Sequence, residues 1–316
     1  MILVTGATGF VGGALVRRLA ATPSFNGVVA SVRSKGESLP KGVQQIPIGD
    51  LLPTTDWSTA LQDIDAVVHC VGRVHVMQDN AIEPLQAYRE VNVSCTLNLA
   101  RQAADAGVRR FVFISSIKVN GEATQPGQPF MADDVPAPLD PYGVSKLEAE
   151  QGLRGIEEKT GMEVVIVRPP LVYGPGVKAN FAYMMRWLAR GIPLPLGAIQ
   201  NARSMVALDN LVDLLVTCVK HPDAAGQIFL VSDGEDLSTT GLLRRTAQAM
   251  GKKALLLPIP AFVLLWGAAL LGKRAVAQRL CGSLQLDINK TRQLLSWTPL
   301  VSVDEGLRRA AEGVRS

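Results

Sequence analysis

The chain begins "MILVTGATGFVGG", and this stretch constrains the fold more than any other. A short apolar run, Ile2 to Val4, meets Gly6, Gly9 and Gly12, and a helical pattern with Val11, Ala14, Leu15 and Leu19 near one face runs from Phe10 to Ala21. Glycines so placed permit a tight turn and close backbone approach. The helix N-terminus beyond them offers free N–H groups to a pyrophosphate. A glycine turn between a first strand and an amphipathic helix is far more specific than the glycines alone.

The alternation continues through the first half. Val28–Val32, Ala66–Val71, Phe111–Ile114 and Val164–Val167 read as strands. Val91–Ala106, closed by Gly107, reads as a helix, as does Pro141 to about Glu158, with Asp140 as its N-cap. Unbroken apolar strands are those covered on both faces. The pattern predicts an α/β fold, a Rossmann-type doubly wound parallel sheet with a smaller C-terminal α/β lobe. The expected boundaries are 1–168 plus about 204–232 for the first domain. The lobe takes about 170–200 and 234–316. Residues 203–221 read as a further strand and helix, and 227–233 as a further strand.

With 316 residues, 47% apolar and 19% charged, the chain can bury a sizeable core. The net charge of +4 comes without a Lys/Arg run, so nucleic acid is not an expected partner. Cys70, Cys95, Cys218 and Cys281 form no CxxC, and reduced thiols in a cytoplasmic protein are expected. His69, His75 and His221 show no ligand spacing, so no metal is expected. No basic leader precedes an apolar run, and a secretory signal is not expected. Ala254 to Gly272 carries no charge and approaches the length of a membrane span. Pro258 and Pro260 break it, so the reading is a turn followed by a buried helix from about Ala261 to Leu271, with no membrane span.

The second strand ends "VVASVRSKG". An acid there would suit an adenosine ribose with a free 2′-hydroxyl; Arg33 and Lys35 suit a 2′-phosphate instead, favouring NADP over NAD. Asp50, in "IGDL", can accept a hydrogen bond from the adenine amino group. In "DPYGVSKLEAE", Tyr142 and Lys146 stand four apart on one helix face. A free phenol has a pKa of about 10. A neighbouring ammonium and a positively charged nicotinamide both favour phenolate, so Tyr142 is expected to exchange a proton near neutral pH.

Together "TGATGFVG", "GDL", "VVHCVG", "VNVSCTLNLA", "FVFISSIKVNG", "YGVSK", "VRPPLVYGPG" and "LLSWTPLVSVDEGLRR" resemble the extended short-chain dehydrogenase/reductases of the nucleotide-sugar epimerase/dehydratase type. The resemblance covers nearly the whole chain. It implies a Rossmann fold, a nicotinamide cofactor and a Ser116–Tyr142–Lys146 triad. It places cofactor contacts at Gly6, Thr8, Gly9, Phe10, Val11, Gly12, Arg33, Asp50, Leu51, Val71, Gly72, Arg73, Tyr142, Lys146 and Pro169. "HCVGRVHVM" is similar to a UDP-glucose 4-epimerase-like subgroup that includes reductases making UDP-N-acetyl-6-deoxyhexosamines for surface polysaccharides.

Dehydratases of this family carry an Asp-Glu pair just after the strand's hydroxyl residue, where this chain has Ile117 and Lys118. A 4,6-dehydratase is therefore not expected. The preferred reading is an NADPH-dependent reductase of a UDP-4-keto-6-deoxy-N-acetylhexosamine. The alternative is a UDP-sugar 4-epimerase. A cofactor-sensing binding protein is disfavoured by the Tyr-Lys pair. By resemblance, Asn180, Arg203 and, more loosely, Arg279 contact the nucleotide diphosphate. Ser116, Lys118, Asn120 and Tyr142 lie near the sugar. Arg73 and His75 follow a strand end, and a structural role is expected for His75. The family often dimerises through two helices of the Rossmann domain, which makes a homodimer an expectation here too.

Overall fold

The computed structural model describes residues 1–34, 36–73, 83–125, 127–177 and 179–315. His75 lies outside them, as does Lys35. The chain runs β1 (Ile2–Thr5), α1 (Phe10–Ala20), β2 (Val28–Val32), β3 (Val43–Pro47), β4 (Ala66–His69), α2 (Pro84–Arg89) and α3 (Thr96–Asp105). It continues through β5 (Arg110–Ile114), α4 (Pro141–Thr160), β6 (Glu163–Arg168), β7 (Leu171–Tyr173), α5 (Ala179–Ala189), β8 (Met205–Ala207) and α6 (Leu208–Lys220). The last elements are β9 (Ile228–Leu230), α7 (Thr239–Ala249), α8 (Ala261–Leu270), α9 (Arg274–Cys281), α10 (Asn289–Leu295) and α11 (Val303–Arg315).

Seven strands form one parallel sheet in the order β3-β2-β1-β4-β5-β6-β9. Successive side chains of a strand point to opposite faces, and both faces here are covered. Val4, Ala30, Val68, Val112 and Val167 join α1 and α6 in one core. Leu3, Val29, Val67, Phe111 and Ile166 join Trp57, α3 and α4 in the other. This two-sided burial is why the strands read as unbroken apolar runs rather than alternating ones. A short parallel pair, β7-β8, centres a third cluster with α5, α7 and α11. Leu284, Leu286, Ile288, Leu295 and Trp297 pack into the first core.

Two buried charges tie distant segments together. Arg110 of β5 pairs with Glu163 at 2.6 Å and donates to the carbonyls of Cys218, Val219 and His221, which end α6. Asp233 accepts from the Ala207 amide at 2.8 Å, from Asn210 at 2.7 Å and from the Tyr173 hydroxyl at 2.6 Å.

The chain departs from the sequence expectations in two places. The helix expected over Val91–Ala106 is part of a longer rod in which π-helical Glu90–Cys95 joins α2 to α3. Apolar periodicity does not report that extra residue per turn. The helix expected near Ala261–Leu271 is present as α8, but none of its residues is buried. That overturns the buried-helix reading: apolar content says what avoids water, whereas burial needs a partner surface, and α8 packs chiefly on the short α9.

Candidate active site

The C-terminal ends of parallel strands converge on one crevice, where α/β folds bind ligands. Here it is a cleft of about 400 Å³. Gly9 to Gly12 line it from the β1–α1 turn, Cys70 to Gly72 from the end of β4, and Ile114 to Ser116 from the end of β5. Tyr142 and Lys146 enter from α4, Pro169 and Pro170 from beyond β6, and Leu211 from α6. A separate hollow of about 440 Å³ on α3 and α4 shares no residue with this cleft.

The glycine turn is a cradle that side chains would fill. Gly6 has φ +66°, and a Cβ there would sit 3.1 Å from the Cys70 carbonyl carbon. At Gly12 a Cβ would lie 2.1 Å from the Gly6 carbonyl oxygen, which no side chain tolerates. Gly9 caps α1 without a side-chain bond, so the first-turn amides keep their donors for a ligand. Phe10 and Val11 are half-buried in the cleft wall, and Thr8 is exposed on the turn. These residues fit a dinucleotide, whose pyrophosphate belongs at such a turn.

Beyond β2 and β3, Arg33 and Asp50 pair with each other at 3.1 Å, both largely exposed. Leu51 beside them is half-buried. Beyond β4 the Arg73 amide donates to Asn92 Oδ1 at 2.8 Å, and the Arg73 guanidinium lies 5.5 Å from the Tyr88 ring centre. Asn92 sits on the π-helical turn and also donates to the Arg73 carbonyl and to Ser145. It thereby fixes the wall of the cleft to α4. Sequence reasoning missed this asparagine; the quoted "VNVSC" contains it, but nothing in its spacing marks a role.

Asp140 caps α4, its carboxylate accepting from the Gly143 amide at 2.7 Å, and Pro141 opens the helix. This start aims Tyr142 and Lys146 into the cleft from one face. Ser116 reaches it from an extended residue after β5 and accepts from the Lys118 amide at 3.3 Å. Burial pushes the Tyr142 phenol up to about 12, and the neighbouring Ser116 hydroxyl opposes that rise. Burial also draws the Lys146 ammonium down to about 8, with the Glu150 carboxylate opposing. Lys146 Nζ donates to the Ile114 carbonyl at 2.9 Å and lies 4.5 Å from the Phe113 ring centre. The expected lowering of the phenol is thus not a property of the protein alone: desolvation dominates, and the Lys146 ammonium is turned toward β5.

Ser115 has a different fate from Ser116. Its hydroxyl donates to Glu150, which also binds Arg168 through bonds of 3.0 and 2.6 Å. Arg168 in turn donates to Asn120 Oδ1 at 2.9 Å, and Asn120 donates to the Met131 carbonyl. Both ends of the Asn120 amide are therefore engaged within the protein. Lys118 is held by Asp140 and by Glu122, the latter at 3.1 Å. Asn180 lies at the start of α5. Arg203 donates to the Arg279 and Gly282 carbonyls, both at 2.9 Å. Burial and the nearby Arg279 guanidinium both lower its pKa, so the structure brings these two candidate diphosphate contacts together. Val71, Gly72 and Pro169 line the cleft, and Cys70, Ile114, Pro170, Val172 and Leu211, which sequence reasoning did not name, line it with them.

Residues 2–232 match the NAD dependent epimerase/dehydratase family. A UDP-glucose 4-epimerase from Vibrio cholerae is 49% identical over 312 residues, covering 98% of this chain and 94% of that protein. An N-acetyl-alpha-D-glucosaminyl-diphospho-ditrans,octacis-undecaprenol 4-epimerase from Escherichia coli O157:H7 is 28% identical, covering 82% of this chain and 76% of that one. In fold the chain is similar to UDP-glucuronic acid 4-epimerase from Bacillus cereus, solved with UDP-glucuronic acid and NAD. That match has a TM-score of 0.79 at 24% identity and covers 99% of this chain and 98% of that one. Glycine cradle, parallel sheet and family match agree, and the chain belongs to the NAD-dependent epimerase/dehydratase family of enzymes.

Proposed function

We propose that the protein is a UDP-sugar 4-epimerase using NAD, acting on a UDP-hexose or UDP-N-acetylhexosamine. The observation that carries this reading is the 49% identity to the Vibrio cholerae UDP-glucose 4-epimerase across 98% of the chain. The cleft supplies compatible chemistry. Bound nicotinamide provides a reversible hydride acceptor. Tyr142 exchanges the proton of the sugar's 4-hydroxyl, and Ser116 hydrogen-bonds the same oxygen. Lys146 supplies positive charge beside the phenol and holds the nicotinamide ribose. Arg203 and Arg279 grip the diphosphate, for which guanidinium groups are suited.

The sequence alone favoured an NADPH-dependent reductase because of Arg33. Pairing with Asp50 weakens that argument, since the cation already has a counter-charge. One support for the reductase remains: exposed ion pairs are worth at most about 1 kcal/mol, so Arg33 is free to turn to a 2′-phosphate. The two readings separate on incubation with UDP-N-acetylglucosamine, its galacto epimer and the 4-keto-6-deoxy derivative, with and without NADPH. The epimerase interconverts the first two without added reductant. Stoichiometric NADPH loss with the keto sugar alone would overturn it. Tyr142→Phe is expected to lower turnover by about 10²–10⁴-fold with cofactor binding retained. A protein that only senses cofactor has no turnover to lose.

A further inference from the structure

The uncharged segment that α8 occupies presents one face of that helix to water. Phe262, Trp266, Leu270 and Leu271 are 72%, 73%, 75% and 76% exposed. The first three stand four residues apart and form one ridge. α8 buries none of its residues, whereas α1, α3, α4, α6, α7 and α9 each bury at least one. Val276 and Leu280 of the neighbouring α9 are exposed as well. Isolated exposed apolar residues are ordinary, but a contiguous ridge marks an interaction surface.

The surrounding charge indicates what covers it. From Asp236 to Asp287 the chain contains no carboxylate between those two residues. Lys252, Lys253, Lys273, Arg274 and Arg279 all lie in that stretch, and all are exposed. A second copy packed on this face would oppose two cationic rims. An anionic bilayer instead offers hydrocarbon to the ridge and phosphates to the rim. A ten-residue helix is about 15 Å long, half the hydrocarbon thickness, so it lies in the interface and does not cross it. No described helix is long and apolar enough to cross a membrane.

We propose that α8 and α9 form a reversible docking surface for anionic lipid bilayers. The end of α9 is tied to the segment before β8, because the Arg279 and Gly282 carbonyls hold Arg203. The proposal stands on this surface and does not depend on the reaction assigned above. It is tested by flotation with phosphatidylglycerol–phosphatidylethanolamine vesicles and with phosphatidylcholine vesicles. The wild type should float with the anionic vesicles, with a blue shift in tryptophan emission that Trp266→Phe removes. F262D/W266D should lower the bound fraction at least tenfold while cofactor titration shows an intact fold. K273Q/R274Q should weaken partitioning about fivefold per cation removed at low salt. Absence of wild-type flotation, or equal flotation of F262D/W266D, overturns the proposal. So does a wild-type dimer that F262D/W266D converts to monomer while vesicles capture neither form, which assigns the face to a second copy.

Discussion

Lys146 is a lysine held where its charge is expensive. In an unfolded chain it keeps its proton to about 10.5, and in the fold it releases it near 8. Between those values the unfolded chain binds more protons, so stability rises with pH across that window. Tyr142 acts in the opposite sense: its folded pKa of about 12 exceeds the ordinary 10, so its contribution falls as pH passes 10. The thermal midpoint is expected to climb from pH 8 toward pH 10 and then to fall. Lys146→Met should remove the climb. A climb unchanged in that variant would show that Lys146 is not desolvated in this way. Such side chains differ in how readable they were. Tyr142 and Lys146 betray themselves by a four-residue spacing, and Ser116 by its place at a strand end. Glu150 and Arg168 obey no spacing rule, and Asn92 depends on a π-helical turn that only the folded backbone reveals.

Elements β5, α4 and β6 meet at one buried set of charges. Glu150 of α4 takes a bond from Ser115 just after β5 and two from Arg168 of β6. Arg168 is 2% and Glu150 4% exposed in their side chains, so neither charge has water to fall back on. Removing one partner of a buried pair costs about 3–5 kcal/mol because the other is left uncompensated. Glu150→Ala is therefore expected to lower unfolding free energy by that order in urea titration, and a loss under 1 kcal/mol would contradict the account. The same joint explains the two serines: both line the cleft, but the Ser115 hydroxyl is committed to Glu150. Strands were legible at this scale as unbroken apolar runs, and helices because each must bury a periodic apolar face. α8 was misjudged for the same reason, since its pattern specifies no partner.

Across the whole molecule, β9 completes the main sheet after the chain has already built β7 and β8 outside it. Asp233 closes that excursion by binding Tyr173, Ala207 and Asn210 at once. Asp233→Ala leaves the buried Ala207 amide unmatched, at about 1–3 kcal/mol, while Asn210 and Tyr173 keep the Val301 and Val303 carbonyls. A fall of that order in chemical denaturation is expected, and a neutral variant would mean water replaces the carboxylate. The parallel sheet followed from the βα alternation, while this closure did not, because its four residues are scattered along the chain.

Charge is also segregated along the sequence. No carboxylate occurs between Glu163 and Asp209 or between Asp236 and Asp287, stretches that carry Arg186, Arg190, Arg203 and the α8–α9 rim. A net charge of +4 therefore understates the local field. The positive charge of these stretches favours the approach of a nucleotide diphosphate, the substrate class proposed above. The encounter rate measured by stopped-flow should fall as ionic strength rises from 10 to 200 mM, since the Debye length shrinks from about 30 Å to under 10 Å. A salt-independent rate would mean that arrival is governed by diffusion alone.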